Sequence, residues 1–497
     1  MRTIWVFGDQ CNSQISSLRD ADPATDRVLL VRSMRKLAGK RWHRQRLHVV
    51  LATMRRFAAE LRAQGFTVDE RDASSLPEGL VAHRDEYAPT EVLAMSPMSW
   101  DGVALLERTG VTVVPNNQFA CSAREFAMWA GDKKRLRMED FYRWQRQRFT
   151  ILMDGDEPVD GRWNFDAENR EPPPKDGRAW PGVNRYPLDA IDIAVAAELD
   201  ALGDAIFGAP YDGLWPTSRA QALERLDDFI EHTLAGFGPH EDAMLMDEWK
   251  LAHSLLSSAM NLGLLHPLEV VRAAEDAYRS GVVPIASAEG FIRQVIGWRE
   301  YVWGVYWHWM PEYRDARVLA GTRSVPPAFL GAPTKMRCVA NVIDGIHDRA
   351  YAHHIQRLMV LGNLAMLAGV EPGAMTDWMW ASFIDGAEWV MVPNVIGMAM
   401  HADGGRMATK PYAGSGSYIK KMSNACKGCA YDPSARTGER ACPFTTLYWD
   451  FLARHESSLR GNHRMRNQMS MLRRLSDLDA VRAQAQTTLA ALDAGTL

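Results

Sequence analysis

The chain has 497 residues, 47% of them hydrophobic and 24% charged, and its formal net charge is −4. These values predict a soluble globular protein of two or three domains. No run of about 18 uncharged apolar residues occurs, which excludes an ordinary transmembrane helix, and the first residues are strand-like rather than typical of a signal peptide. We therefore expect a cytoplasmic protein without a membrane partner.

Residues 1–130 alternate between patterns typical of strands and of helices. TIWVFG, RVLLVRS and FTVDER are short apolar segments that predict strands, and HVVLATMRRFAAELRAQG has apolar residues at helical spacing up to a glycine. The alternation continues through EVLAMS, WDGVALLERTG and VTVVPN. This βαβ pattern predicts an α/β domain whose parallel sheet is wrapped by helices.

The rest of the chain divides into two regions. Residues 131–215 are rich in Pro, Gly and Asp and show no sustained period from residue 150 onward, so we interpret them as a connector between domains. Residues 216–497 have helical periodicity nearly throughout, which predicts a large all-α domain. Neither G-x-G-x-x-G nor G-x-x-x-x-G-K-[ST], the patterns of dinucleotide and phosphate loops, occurs in the chain.

Three of the six cysteines lie close together within residues 424–444. They are Cys426, Cys429 and Cys442. Disulfides are disfavoured in the cytosol, so thiols grouped at ligand spacing predict a metal or redox site. Cys338 is the best candidate for a fourth ligand, because Cys11 and Cys121 fall in the α/β domain. Four cysteines could hold zinc or an iron–sulfur cluster, and the alternative is a group of unligated thiols.

Two histidines, His353 and His354, stand side by side in YAHHIQRLMVLGN. Apolar Ile355, Leu358 and Met359 predict a helix there, on which the two histidines are about 100° apart. They cannot both face the core, so at least one can border a cavity. Ordinary core or surface histidines are the alternative interpretation.

Aromatic and basic side chains indicate what the protein could bind. Trp303 and Trp307, two of seventeen tryptophans, are spaced to share a helical face. Core packing explains such a pair, and stacking on a planar cofactor or base, or electron hopping, are the alternatives. Basic residues are concentrated in 32–46, 133–148 and 460–474, which indicates a polyanion partner unless these are solvated helix faces.

Motifs along nearly the whole chain carry a resemblance to a known family. They include VFGDQ, LRMEDFYRWQRQR, EDAM, HSLLSSAMNLGLLHP, EGFIRQVIGWREYVWGVYW, MRC, YAHHIQRLMVLGN, IDGAEWVMVPNVIGMAMHADGG, TKPY, YIKKMSNACKGCAYDP and ACPFTTLYW. In these segments the chain resembles the bacterial iron–sulfur cryptochromes and (6-4) photolyases, a branch of the cryptochrome/photolyase family. The combination of the cysteines with AHHIQR is the most specific part of the resemblance.

The resemblance implies a fold, cofactors and a reaction. It implies an N-terminal antenna domain, a helical domain that binds FAD, and a [4Fe–4S] cluster. The cluster ligands would be Cys338, Cys426, Cys429 and Cys442. The implied reaction is light-dependent repair of (6-4) pyrimidine photoproducts in double- or single-stranded DNA. Reduced FAD would donate an electron to a flipped-out lesion, and His354, with His353 beside it, would supply a proton. We expect a monomeric lyase.

Further site residues follow from the same resemblance. Those expected to bind FAD are Ser254, Ser257, Trp298, Glu300, Asp385, Glu388, Asn394, Met398 and Asp403. Trp378 is expected to pass electrons to the flavin. Lys133, Lys134 and Arg135 are expected to bind DNA phosphates without reading sequence.

The chain also departs from the family pattern. The departures near the flavin lie at Leu255, Trp303, Leu330 and Met379. The first two replace arginines, and the other two replace aromatic members of the expected electron route, so we expect slow photoreduction of the flavin. Arg32 and Arg35 replace acidic residues of the antenna pocket, which argues against a ribityllumazine antenna. These changes keep open a second function, that of a cryptochrome-like photoreceptor or diverged flavoprotein with little or no repair activity. A zinc-binding nucleic-acid protein is a further alternative, which would be colourless.

Overall fold

The computed structural model describes residues 1–319 and 321–497. Its N-terminal part is built on five parallel strands in the order β3-β2-β1-β4-β5. The strands are β1 (Arg2–Val6), β2 (Asp26–Ser33), β3 (Thr67–Ala73), β4 (Glu91–Met95) and β5 (Thr112–Val114). Ile4 and Trp5 of the central strand point to opposite faces and both are fully buried, as expected of a parallel sheet covered on both sides. The predicted α/β domain is confirmed.

Helices cover this sheet. They are α1 (Met34–Ala38), α2 (Arg44–Ala63), α3 (Leu76–Tyr87), α4 (Trp100–Thr109) and α5 (Ala123–Ala130). Helix α2 ends just before Gly65, whose φ of 94° suits a residue without a Cβ. At the end of β2, Arg32 forms ion pairs with Asp72 and Glu198, so carboxylates of the protein itself neutralise its charge.

The region interpreted as a connector contains more regular structure than its composition predicts. It holds α6 (Met138–Phe149), a short hairpin of β6 (Met153–Asp154) and β7 (Glu157–Pro158), and α7 (Ala190–Asp200). Helix α7 was therefore not predicted. This helix has a capping box between Asp189 and Asp192 and packs on α2 through buried Val195 and Leu199. Its eleven residues, AIDIAVAAELD, carry apolar side chains on most sides of the helix, so the sequence shows no clear amphipathic period.

The C-terminal part is helical, as predicted. Its helices are α8 (Arg219–His232), α9 (Ser257–Asn261), α10 (Pro267–Arg279), α11 (Ile285–Ile292), α12 (Glu300–Trp309), α13 (Arg337–Arg349), α14 (Asn363–Ala368), α15 (Pro372–Ser382), α16 (Glu388–Val392), α17 (Gly416–Met422), α18 (Pro443–Arg454), α19 (Glu456–Leu459), α20 (Arg466–Arg473) and α21 (Leu478–Asp493). No helix in the described residues is long and apolar enough to cross a membrane.

Three segments of this helical part have π-helical hydrogen bonding. They are π1 (Arg293–Arg299), π2 (Gln356–Gly362) and π3 (Pro393–Ala399). Segment π3 packs against π2, α12, α15 and α16, and π1 runs directly into α12. Because π-helical turns are rare and often mark functional sites, the contact between π2 and π3 indicates where the site lies.

Candidate functional site

Two histidine side chains pack against each other just before π2. The imidazole rings of His253 and His353 are stacked, with centroids 4.6 Å apart and planes 18° apart. The His353 backbone N–H donates to the Gln356 side chain at 3.2 Å, and the His353 carbonyl accepts from the Arg357 N–H at 3.1 Å. The helical segment therefore begins at His354, and the prediction of a helix that includes His353 is wrong, because His353 caps that helix.

The three imidazoles are neutral at physiological pH. Burial lowers the pKa of His253 and of His354 to about 4 and holds the pKa of His353 well below its usual value. The His353 ring is almost completely buried, whereas the His354 ring is exposed to solvent. The Arg357 charge contributes to the lowered pKa of His354, which places the exposed imidazole beside that guanidinium. A cavity of about 190 Å³ also borders Tyr351 and Gln356 in this region.

A buried ion pair joins the histidines to the residues expected to bind FAD. The Arg357 guanidinium lies 2.9 Å from the Asp385 carboxylate, which also accepts from the Ser257 hydroxyl at 2.7 Å. Burial acts to raise the pKa of Asp385, but Arg357 and Ser257 outweigh it and hold that pKa below its usual value. The Arg357 charge also lowers the pKa of both His353 and His354, so the ion pair and the histidines form one site.

Breaking this pair should be costly. The Arg357 and Asp385 side chains are only 19% and 11% exposed, so Asp385→Asn leaves a buried cation without its carboxylate and should lower the free energy of unfolding by roughly 3–5 kcal/mol. Denaturant unfolding measures this change. The control is Asp176→Asn at the pair with Arg178, which is half exposed and should change stability by no more than about 1 kcal/mol. Equal effects of the two substitutions would contradict a structural role for the buried pair.

Three other carboxylates expected near FAD are buried in separate hydrogen-bond groups. Glu300 accepts from Arg299 at 2.6 Å and from the Cys121 backbone at 2.9 Å. Glu388 lies 3.4 Å from Arg314. Asp403 accepts from the Tyr313 hydroxyl and the Met407 backbone, both at 2.7 Å. A hydrogen bond thus connects Ser257 with Asp385 directly, whereas each of these three carboxylates bonds to partners of its own.

The remaining residues expected to bind FAD lie on the surrounding elements. Ser254 precedes α9 and accepts from the Leu256 N–H at 3.4 Å. Trp298 is in π1, and Asn394 and Met398 are in π3. The Asn394 amide donates to the Val390 carbonyl at 2.8 Å, so its carbonyl oxygen can still accept from another group.

Two arginines that the resemblance did not supply also face this region. Burial lowers the pKa of Arg46 to about 10, and among the described residues no carboxylate lies within ion-pair distance of it; Asp385 and Asp9 act on it only at longer range. Arg299 is likewise desolvated, and its Nε lacks an acceptor among the described residues. Buried cations with spare donors fit a ligand that carries phosphate groups. Arg46 belongs to the basic segment 32–46, and this concentration of positive charge was the sequence signal that could have identified it as a site residue.

Arg357 and His253 were missed as site residues, although each stands next to a predicted one. Arg357 follows His354 within the motif AHHIQR, and His253 directly precedes Ser254. The Arg357–Asp385 contact joins residues that are distant in the chain, so only the folded chain reveals it. The stacking of His253 on His353 likewise depends on how α9 and π2 pack.

The four predicted cluster cysteines lie on three elements that converge. Cys338 is in the first turn of α13, Cys426 and Cys429 are in the loop after α17, and Cys442 caps α18. The Cys429 thiol lies 3.8 Å from the Lys335 carbonyl, which places this loop at the start of α13. Cys11 and Cys121 are buried in the N-terminal part, as predicted.

Electrostatic effects show how near the four thiols are to one another. Burial raises the pKa of Cys338 well above its usual value, and the charges of Cys442, Cys426 and Cys429 raise it further. Burial, followed by Cys442 and Cys429, raises the pKa of Cys426 to about 11. In the described residues no three His, Cys, Asp or Glu side chains converge on a single metal-ion position. The ligand set stays a prediction.

The residues expected to carry electrons and to bind DNA lie at the periphery. The partly buried Trp378 packs against Phe329, with ring centroids 5.1 Å apart, whereas Leu330 is 59% exposed. Lys133, Lys134 and Arg135 are all exposed in the loop between α5 and α6. Lys133 also donates to the Trp129 carbonyl.

Comparison with known proteins identifies the fold and then the family. The structure matches a bacterial class III photolyase from Agrobacterium tumefaciens, with a TM-score of 0.56, 16% identity and coverage of 99% of this chain and 98% of that chain. It also matches a cryptochrome from Synechocystis sp. PCC6803, with a TM-score of 0.53, 13% identity and coverage of 80% and 82%. The fold is thus that of photolyases and cryptochromes.

Sequence comparison is more specific. Residues 4–215 match the family described as deoxyribodipyrimidine photo-lyase-related protein. A (6-4) photolyase from Agrobacterium fabrum is 40% identical, and the match covers 99% of each chain. The chain therefore belongs to the (6-4) photolyase branch of the photolyase/cryptochrome family, as its motifs predicted.

Proposed function

We propose that this protein is a light-dependent (6-4) photolyase that repairs pyrimidine photoproducts in damaged DNA. The observation that carries the proposal is the position of His354, whose exposed side chain lies under the charge of Arg357, the cation of the Arg357–Asp385 pair. An enzyme that acts on a base must extrude it from the stack, and an exposed histidine can reach a base that has been extruded. The name of the relative from Agrobacterium fabrum supports the same reaction.

FAD is the cofactor that family membership implies, and the residues around Asp385 fit it. Arg46 and Arg299 would hold its phosphates, because burial lowers the pKa of both guanidinium groups and the Nε of Arg299 lacks an acceptor among the described residues. Ser257 and Asp385 would hold polar atoms of the remainder. Bound there in reduced form and excited by light, FAD would supply an electron to the lesion.

His354 is suited to the proton transfer that accompanies repair. Its neutral ring carries one N–H donor and one acceptor nitrogen. Negative charge that develops on a bound lesion favours the protonated form of a neighbouring imidazole. His354 would therefore hold the proton that the lesion takes up, with His353 behind it fixing the start of the helix.

We propose further that Cys338, Cys426, Cys429 and Cys442 bind a [4Fe–4S] cluster. Four thiols from a helix start, a loop and a second helix start form the ligand set that such clusters use. Every pair among them interacts electrostatically, which supports a common site. For DNA, the exposed Lys134 and Arg135 would contact phosphates.

The test is repair by the wild-type protein. Chemically reduced protein is mixed with a duplex that contains one (6-4) photoproduct and is illuminated with blue light. Restoration of intact pyrimidines is measured by chromatography, with a dark sample and a cyclobutane dimer as controls. Light-dependent repair of the (6-4) lesion alone is expected. If the lesion persists, the protein is not a photolyase, and the photoreceptor alternative takes its place.

A further inference from the structure

The His253 ring is fixed in position by its own backbone turn. The His253 backbone N–H, at 2.9 Å, and the ring Nδ1, at 2.8 Å, are both within hydrogen-bond distance of the Lys250 carbonyl. A carbonyl oxygen can only accept, so the proton of the neutral ring is on Nδ1. Phe237 packs edge to face against the same ring, with centroids 6.1 Å apart and planes 81° apart. His253 therefore has a defined orientation before α9 begins.

The His353 ring is held by packing alone. The residue is 1% exposed, and both of its ring nitrogens lack a hydrogen-bond partner among the described residues. Its hydrogen bonds come from the backbone, whose N–H donates to the Gln356 side chain and whose carbonyl accepts from the Arg357 N–H. The orientation of the imidazole thus depends on its neighbours, and the nearly parallel His253 ring, 4.6 Å away, covers one of its faces.

The two stacked rings stay neutral. The groups that act on their charge are Lys250, His354 and Arg357, which are all cationic when protonated. Burial lowers the pKa of both rings, and the neighbouring charges lower it further. Two imidazolium ions at this separation would also repel each other strongly in a desolvated interior. The stack is therefore a neutral support, and proton transfer is left to the exposed His354.

The stack also affects the position of His354. His353 and His354 are consecutive, and side chains of consecutive residues on a helix are about 100° apart. With the His353 ring held inside against His253, the His354 ring faces outward. Without the His253 ring, the buried His353 ring would gain space to change its rotamer, and the first turn that carries His354 would lose its support.

We propose that His253 is a positioning residue for the repair reaction, because its ring holds His353 in place and thereby fixes the position of His354. The inference rests on the proposed photolyase function. His253 itself supplies no proton in this role, since its Nδ1–H is bonded to the Lys250 carbonyl. A reacting group displaced by about 1 Å can lose about a hundredfold in rate, so a small change in the stack should be measurable in the chemical step.

Single-turnover repair by chemically reduced protein tests the proposal. His253→Ala should slow repair of the (6-4) lesion by about tenfold or more, because it leaves the proton donor poorly positioned. Binding of the lesion should change by less than about twofold, since the loss is confined to the chemical step. His253→Phe keeps an aromatic face against His353 and should repair within about threefold of the wild type.

The matched control is His83→Ala. His83 is a fully buried histidine of α3 that also packs against an aromatic ring, that of Tyr87, with centroids 5.0 Å apart. It lies in the α/β part, so its replacement should leave the repair rate unchanged. Thermal unfolding of all variants shows whether lost stability alone accounts for slower repair. Equal slowing by His253→Ala and His83→Ala, or by His253→Ala and His253→Phe in folded proteins, would overturn the proposal.

A double substitution shows whether His253 acts through His353. If it does, adding His253→Ala to His353→Ala should slow repair by less than about twofold beyond His353→Ala alone, because residues in one contact pair are not additive. The full loss caused by His253→Ala in both backgrounds would mean that His253 acts independently of His353. A wild-type repair rate in His253→Ala would equally exclude the positioning role.

Nuclear magnetic resonance of the protein labelled with ¹³C-histidine tests the stack without a repair assay. The ring C–H signals of His353, assigned by their loss in His353→Ala, should be shifted upfield by the ring current of His253. His253→Ala should remove this shift, whereas His253→Phe and His83→Ala should retain it. An unchanged His353 signal in His253→Ala would contradict the proposal even if repair were lost. If the signals move as expected but the wild type repairs no lesion, the photolyase function fails and the contact between the two rings stands.

Discussion

Replacing His354 with alanine is expected to lower the rate of light-driven (6-4) repair by about 10²- to 10⁴-fold, the usual contribution of a positioned proton donor. Binding of the lesion should change by only about tenfold or less, since one hydrogen bond contributes about 0.5–1.5 kcal/mol. Chemically reduced protein and a single-turnover repair assay isolate the chemical step, and titration with labelled DNA measures binding. Because the His354 side chain is exposed, its replacement should leave folding intact.

A matched variant should show the opposite behaviour. Lys134→Ala combined with Arg135→Ala removes two exposed cations and leaves His354 in place, so it should weaken the binding of damaged and undamaged DNA alike. The dependence of log K on log salt should become shallower by about 0.9 for each lost phosphate contact. Repair at saturating DNA should be unchanged. If His354→Ala instead repairs at close to the wild-type rate, another group supplies the proton.

The sequence was most informative where structure is local. Alternation of strand and helix patterns predicted the five-stranded sheet, and the glycine after α2 stands where the helix ends. It was less informative about α7, because the apolar residues of that short helix are not grouped on one face. It also failed at His353. There the backbone N–H donates to the Gln356 side chain and the carbonyl accepts from the Arg357 N–H, so His353 caps the helix. Periodicity alone places His353 inside the helix.

The candidate site shows a similar division. Neighbours in the chain, such as His353 and His354, could be recognised together. The contacts of Arg357 with Asp385, and of Trp303 with Trp389, join different helical segments and depend on how π2, π3, α12 and α16 pack. Local periodicity carries no information about such pairs. They determine the electrostatics of the site, because the Arg357 charge acts on both histidines and on the Asp385 carboxylate.

Replacing Cys338 with serine is expected to remove the cluster. Iron should fall from about four atoms per chain to well below one, because a [4Fe–4S] cluster uses four thiolates and serine is a poor substitute. The helical part should also lose stability, since the energy of binding a metal centre contributes to folding when its ligands come from separate elements. Iron analysis, the visible spectrum and thermal unfolding measure these effects, and Cys429→Ser should match Cys338→Ser in all three.

Cys11→Ser and Cys121→Ser are the controls, because both thiols are buried in the N-terminal part and neither is among the groups that shift the pKa of Cys338, Cys426 or Cys442. Each should retain the full iron content, even if the loss of a buried thiol lowers the unfolding temperature slightly. Chelation of iron from the wild type should reproduce the unfolding behaviour of Cys338→Ser, since both remove the same link between α13 and the start of α18. Full iron content in Cys338→Ser would instead show that the three cysteines within residues 424–444 bind their metal without α13.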